Sequence, residues 1–435
     1  MNASYESDRG KDLQEVSLNE NQEKRLLVCL VVSLLSCELS AENWPGWRGP
    51  RGDGTSLDRN VPTKWSGSEN VAWKVAIPGV GHASPIIWED RIIVVTCLPE
   101  EEQRCLICLD RKSGQQLWMT TALTSPLERK HKLNSFASST PVTDGERVYV
   151  SFLDRKDMFI AAYDFQGNRK WAVRPGPFSS VHGYCSSPIL YKDTVIINGD
   201  HDGDAYIVAL EKDSGKTRWK SRRENKTRSY CTPIIRDIDG RTQMILSGSM
   251  CVASYDPDDG SRHWIIDGPT EQYVASLVYD GELIYLTCGF PQEHLMGIRP
   301  DGKGNVTDTH VVWHHRTKDA AYVPSPIVVD GYFIIPDDFG TVTCYEARSG
   351  ELQWREKLAR HYSASALETN GLVYLFADQG IERDEEGVTT IIKPGPKLEI
   401  VTQNTLGEPV YASPAVYDGQ LFLRSQKHLY CIGAK

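Results

Sequence analysis

Eight times the chain returns to one pattern, an aromatic residue, Ser-Pro, two apolar residues, Asp-Gly and an alternating apolar run. It is clearest in "YVPSPIVVDGYFIIP" from Tyr322 and "YASPAVYDGQLFLRS" from Tyr411. In register, the copies are marked by Pro85, Pro141, Pro188, Pro233, Leu277, Pro326, Ala366 and Pro414, in steps of 40 to 56 residues. A turn leading to tryptophan follows most copies. "DRKSGQQLW" ends at Trp118 and "EKDSGKTRW" at Trp219, with counterparts at Trp171, Trp264, Trp354 and, in a longer version, Trp313. Trp73 precedes the first copy, and the last copy ends without a tryptophan of its own. Self-similarity at this period marks a repeat architecture, in which no unit buries its faces without neighbours.

Each unit holds about four short apolar runs, which fits four strands of a propeller blade. The expected fold is therefore all-β, an eight-bladed β-propeller of four-stranded antiparallel blades. The last blade is expected to be closed by an N-terminal strand around Trp73. Proline lacks the N–H that a central strand needs, so its recurrence suits the edge strand nearest the axis. Glycine in "SGK", "SGQ" and "SGE" permits a tight turn into the outer strand, where tryptophan offers an apolar plate to the next blade. The tryptophans are accordingly expected in the core. Aligning the third strands puts Cys108, Ala162, Ala209, Ser254, Gly297, Cys344 and Cys431 in one column, a position that wants a small buried residue.

With 435 residues, 40% of them hydrophobic, the chain can bury a large core. Its net charge of -10 gives no general basic footprint for nucleic acid or an anionic membrane. Lys24 and Arg25 precede the ten-residue apolar run "LLVCLVVSLL", and Ser40 and Ala41 follow, which is the order of a secretory signal. Ten residues are too few to span a bilayer. Residues 1–41 thus read as leader and signal peptide, 42–70 as a lead-in segment and 71–435 as the propeller. Two processing sites compete: cleavage after Ala41, and lipidation at Cys37, where "LLSC" is similar to a lipobox.

The stretch "SSPI…VIING…YIVALEKDSGKTRW" between Ser186 and Trp219 resembles the quinoprotein-type repeat of PQQ-dependent alcohol dehydrogenases and of BamB-like outer-membrane assembly lipoproteins. The resemblance runs from Val71 to Gly433. "NWPGWRGPRGDGTS" from Asn43, "GIRPDGKGNVT" from Gly297 and "GVTTIIKPGPKLEIV" from Gly387 are similar to exported PQQ-like repeat proteins of planctomycete bacteria. The resemblance implies the propeller fold, and through the BamB-like members protein partners. Its enzymes imply PQQ between a tryptophan floor and a disulfide of adjacent cysteines, with an aspartate base and a calcium ion. No Cys-Cys dipeptide occurs in this chain.

Smaller motifs have plainer readings. Cys105-x-x-Cys108 has the spacing of half a zinc site, but its register favours packing. "DHDGD" from Asp200 alternates carboxylates as calcium loops do, yet lacks a distal glutamate and reads as a solvated turn. Cys185 and Cys231 precede Ser-Pro and Thr-Pro of adjacent blades, so a disulfide between them stays open. "RGD" at Arg51 reads as coincidence, and no serine-hydrolase elbow, zinc-protease pair or phosphate loop appears.

The connections into the inner strands should all open at one end of the ring. That rim would collect His82, His131, His182, Arg228, Lys318, Arg360, His361 and Glu408, with Tyr184, Tyr230, Tyr273, Tyr322, Tyr362 and Tyr411 just before the Ser-Pro positions. Either the tyrosines plug the channel and the charges are solvated, or the mouth binds a protein, peptide or glycan. The reading is an exported, non-catalytic scaffold with a protein or glycan ligand at the cell envelope and no cofactor. Contact with membrane would come only through a lipid anchor at Cys37. The alternatives are a PQQ- and calcium-dependent alcohol or sugar dehydrogenase, and a glycan-binding module.

Overall fold

The computed structural model describes residues 41–378, 380 and 386–434, and every regular element among them is a strand. The leader, its apolar run and Cys37 lie outside the described residues. Eight antiparallel sheets follow one another as the blades of a propeller. Their innermost strands begin at Ile86, Val142, Ile189, Ile234, Val278, Ile327, Leu367 and Ala415, each one residue after the repeat marker. Proline therefore ends the incoming connection and spares the ladder its missing donor. Two sheets carry an extra parallel strand: Thr55–Ser56 beside Leu367–Thr369, and Gly304–Asn305 beside Arg262–Asp267.

The eighth sheet is built from both ends of the repeat region. Val71–Ala76 pairs antiparallel with His428–Ile432, placing Trp73 opposite Cys431, so the N-terminal strand closes the last blade as expected.

The column of small residues now has its cause. Each member stands directly across the ladder from a tryptophan: Cys108 from Trp118, Ala162 from Trp171, Ala209 from Trp219, Ser254 from Trp264, Gly297 from Trp313 and Cys344 from Trp354. A Cβ at Gly297 would sit 2.4 Å from Nε1 of Trp313. In the seventh sheet the pair is inverted, with bulky Ile391 facing Thr402.

Each indole N–H then crosses to the next sheet. Trp73 donates to the Arg111 carbonyl at 2.9 Å, Trp118 to Phe165 at 2.9 Å and Trp171 to Lys212 at 2.7 Å. The series continues from Trp219 to Pro257, Trp264 to Pro300, Trp313 to Ala347 and Trp354 to Gly395. The turn glycine of the receiving sheet lies on the ring face. Gly114, at φ 72°, would put a Cβ 2.7 Å from Cε3 of Trp73, so both the backbone conformation and the close approach require glycine there. Burying ~150–250 Å² of each ring at ~25 cal/mol per Å² stabilises a junction by about 4 kcal/mol before ordering costs.

The seventh sheet has no such turn to dock against, because the third strand of the eighth ends at Ile432 while its fourth comes from the other end of the repeat region. There Trp65 of the lead-in segment stacks on Tyr374, rings 6.4 Å apart and 3° from parallel, and its backbone N–H donates to Asn404 Oδ1.

The hydroxyl before each marker has a second role. The N–H of Ser84 donates to Thr140 Oγ1 in the next sheet, and Thr140 does the same to Ser187. Farther round, Ser276 donates to Ser325, Ser325 to Ser365 and Ser365 to Ser413. Side-chain acceptors thus bind neighbouring inner strands where no ladder joins them.

Candidate binding site at the open end of the channel

The lead-in segment crosses the axis at one end of the ring. Trp44 exchanges backbone hydrogen bonds with Ile87 of the first sheet, and Thr143 of the second donates to Pro45. Trp47 Nε1 reaches Ser276 Oγ at 3.0 Å, and Arg48 donates to the Pro326 carbonyl at 2.7 Å. Arg236 of the fourth sheet binds the Arg51 carbonyl and Asp53. The Arg-Gly-Asp triplet is therefore an internal staple.

Above this plug lies a cavity of about 260 Å³ with Trp47 in its lining. The wall follows one rule. The residue two places before each inner-strand hydroxyl lines it: His82, Ser138, Cys185, Tyr230, Val274, Val323, Ser363 and Tyr411. Side chains two apart on an extended backbone share a side, and hydroxyls such as Ser187 and Thr232 line the cavity with them. His131, Asn134, His182, Tyr322 and Asp338 add to the polar and aromatic lining. His82 stacks on Tyr411 at 4.8 Å, and His182 lies edge-on to His131 at 5.7 Å. Burial, with Arg424 and Lys130 adding to it, brings His82 down to about 4, and burial with Arg228 nearby also lowers His182. Asp338 moves the other way. Burial raises it to about 6, although its oxygens accept the N–H groups of Tyr322 and Val323.

Of the rim residues expected from sequence, His82, His131, His182, Tyr230, Tyr322 and Tyr411 come together around this cavity. Tyr184, Tyr273 and Tyr362 do not; they are buried away from it. Each stands three places before its hydroxyl, where the pleat turns the side chain outward. Tyr184 donates to Ser151 and Tyr273 to the Gly268 carbonyl. Tyr322, whose N–H is held by Asp338, is the exception to the alternation. Arg228 is paired with Asp202 at 2.8 Å and His361 with Asp378 at 2.8 Å, and Arg360 is exposed beside His361.

Glu408 has a different role from the one expected. It accepts hydrogen bonds from Lys74 of the closing strand at 3.1 Å, from His428 at 2.6 Å and from Tyr430 at 3.0 Å, and so latches the ring. Burial works to raise its pKa, but hydrogen bonds from Ser425, Lys74 and Tyr430 outweigh it and hold the carboxyl at about 2. A depressed carboxylate adds stability above its unfolded value near ~4.5 that is lost as pH falls toward about 2. Glu408→Gln should therefore lower stability at pH 7, by on the order of 1 to 2 kcal/mol once solvent screening of the partly exposed group is allowed for, and the gap between variant and parent should narrow between pH 4.5 and pH 2 in denaturant titrations.

"DHDGD" is neither a calcium loop nor merely a solvated turn. Asp200 is fully buried against Arg223 at 2.8 Å, Asp202 pairs with Arg228 and Asp204 with Lys226, so each carboxylate has its own cation. Cys105 and Cys108 are buried thiols three residues apart on one strand, hence on opposite faces and unable to share a metal. Cys185 and Cys231 are unpaired thiols.

Sequence reasoning missed Trp47 and Asp338. Trp47 lies outside the repeat and had no register to place it. Asp338 sits on the hairpin between second and third strands, and in an antiparallel blade those hairpins open at the same end as the connections into the inner strands. An aspartate just after the second apolar run, visible at Asp200, Asp337–Asp338 and Asp378, was the available signal.

An eight-sheet ring with tryptophan-docked junctions and a channel stopped at one end defines a propeller of the quinoprotein type. The family model described as outer membrane protein assembly factor BamB matches residues 101–278 and 304–391, more than half of the chain, and the chain belongs to that family. Among solved structures, BamB from Moraxella catarrhalis is 12% identical with a TM-score of 0.59, over 83% of this chain and 98% of that one. Quinohemoprotein alcohol dehydrogenase from Comamonas testosteroni is 12% identical with a TM-score of 0.62, over 90% of this chain and 81% of that one. At such identity the likeness is one of fold. The curated proteins contain no match.

The cavity does not fit PQQ and calcium. Trp47 offers an aromatic ring, but among the described residues no lysine or arginine lines the cavity to neutralise a polyanionic quinone. Among those residues Asp338 is the single carboxyl in the lining, far short of the ~6–8 oxygens calcium takes. Among the described residues no three histidine, cysteine, aspartate or glutamate side chains group as a metal site.

Proposed function

We propose that this chain is an exported, non-catalytic scaffold that engages a protein partner at the cell envelope through the open rim. The family description, an assembly factor of the outer membrane, supports the reading, and the signal-like leader agrees with it. The observation that carries it is an arc of bulky apolar tips on that rim. Met250, Phe290 and Phe339 are 43%, 48% and 66% exposed on the second hairpins of three successive sheets, the fourth, fifth and sixth. Met and aromatic residues are enriched in protein interfaces, and these three stand on equivalent hairpins of adjacent sheets. The opposite end is taken up by the lead-in segment, which among the described residues leaves this rim as the open concave face.

Phe290→Asp combined with Phe339→Asp should leave the melting temperature within a few degrees of the parent and abolish co-purification of envelope proteins crosslinked in the native cell. Recovery of the same crosslinked proteins with the double variant would refute the rim reading.

A further inference from the structure

The channel carries a chemistry separate from the rim arc. Among the described residues its lining combines the aromatic side chains of Trp47, Tyr230, Tyr322 and Tyr411 with one carboxyl, Asp338, and contains no lysine or arginine. His82, His131 and His182 also line the cavity, and burial lowers the first to about 4 and shifts the last toward its neutral form. Among the described residues Asp338 forms no ion pair; its oxygens accept only the two backbone N–H groups of Tyr322 and Val323. A carboxylate has about four acceptor directions, so capacity remains after those bonds. Even raised to about 6 by burial, the group is mostly ionised at pH 7. The nearby cations are engaged elsewhere. Arg424 donates to the carbonyls of Ala83 and Val95, Arg228 is paired with Asp202, and His361, which also feels Asp338 at longer range, is hydrogen-bonded to Asp378. Among the described residues the Asp338 carboxylate thus has no directly paired cation, and it stands among aromatic side chains whose π systems also attract one.

We propose that this cavity is a binding site for a small organic cation, a primary or quaternary ammonium compound, seated over Trp47 with its charge toward Asp338. Aromatic faces attract an ammonium group strongly once it is desolvated, with tryptophan the best of them. A carboxylate at the edge of such a cage selects charge over shape. The volume of about 260 Å³ admits a cation of choline size. A neutral sugar would also stack on Trp47, but it makes no use of the unpaired charge, and an anion is opposed by it.

The test compares choline with its uncharged isostere 3,3-dimethyl-1-butanol, and with glucose, in calorimetric titrations of the full chain. Choline should bind at least about tenfold more tightly than the isostere, the ratio a single desolvated cation contact supplies. Asp338→Asn should bring that ratio close to one while the melting curve is retained, and Trp47→Leu should weaken both ligands. Equal binding of choline and the isostere, tighter binding of glucose, or absence of choline binding up to high millimolar concentration would overturn the proposal. If Asp338→Asn does not fold, the comparison on the parent protein decides alone. None of these outcomes depends on the Phe290 and Phe339 variants, so the cavity and the rim fail or stand separately.

Discussion

Removing residues 1–76 should leave a protein without a cooperative unfolding transition, whereas removing residues 1–70, which takes away Trp65 and the Arg48 contact but keeps every blade four-stranded, should leave a less stable protein that still unfolds cooperatively. The two truncations differ by the strand Val71–Ala76 alone, which supplies the outer edge of the eighth sheet. Without it, His428–Ile432 becomes an open edge, the Glu408 latch loses Lys74, and the turn at Gly114 loses the indole it rests on. A ring of repeats is stabilised by nearest-neighbour interfaces, so one missing junction exposes two faces at once. The point substitution Trp73→Ala should cost about 3 kcal/mol, toward the lower end for large aromatics because this ring is only partly buried. Coincident melts for both truncations would show that closure lies elsewhere.

A comparable loss is expected inside the third and fourth sheets. Arg223 and Asp200 are both fully buried, joined through two nitrogen–oxygen pairs at 2.8 and 3.2 Å, and Arg223 also donates to Tyr255 at 2.6 Å and to the Gly248 carbonyl at 2.9 Å. Arg223→Met strands a carboxylate without a cation in a dry site, which should cost about 3 to 5 kcal/mol by denaturant titration at pH 7. Adding Asp200→Asn should return a sizeable part of that, because the uncompensated charge goes with it. A single variant as stable as the parent would mean that water reaches the pair.

The fold was legible because its signals are local and repeated. Each marker lies one residue before an inner strand, and the unpaired Trp73 pointed to a closing strand supplied from the N-terminal side. The reason for the small-residue column was half legible: burial could be inferred from the alignment, but the facing tryptophan appears only when the third and fourth strands pair. The cavity was legible to the extent that period two was respected. Tyr230 and Tyr411, two places before a hydroxyl, face the channel, while Tyr184, Tyr273 and Tyr362, three places before, turn away. Treating all six tyrosines as one class mixed the two sides of the chain. Glu408 was misplaced because its partners Lys74 and His428 meet only on closure, across more than 300 residues in the first case. Trp47 was illegible, since a segment outside the repeat carries no register.

The most direct test of the scaffold account is to supply PQQ and calcium to the purified full chain and to read quinone absorbance, thermal shift and dye-linked oxidation of alcohols and sugars. Trp47 gives the quinone a ring to stack on, but among the described residues the lining offers no lysine or arginine for its carboxylates and one carboxyl for the metal. Cofactors perform their chemistry only where a protein orients and tunes them. The expected result is absorbance equal to that of free PQQ, a melting temperature unchanged by the additions and no substrate oxidation. Stoichiometric PQQ uptake with turnover would contradict the account and make this propeller an enzyme.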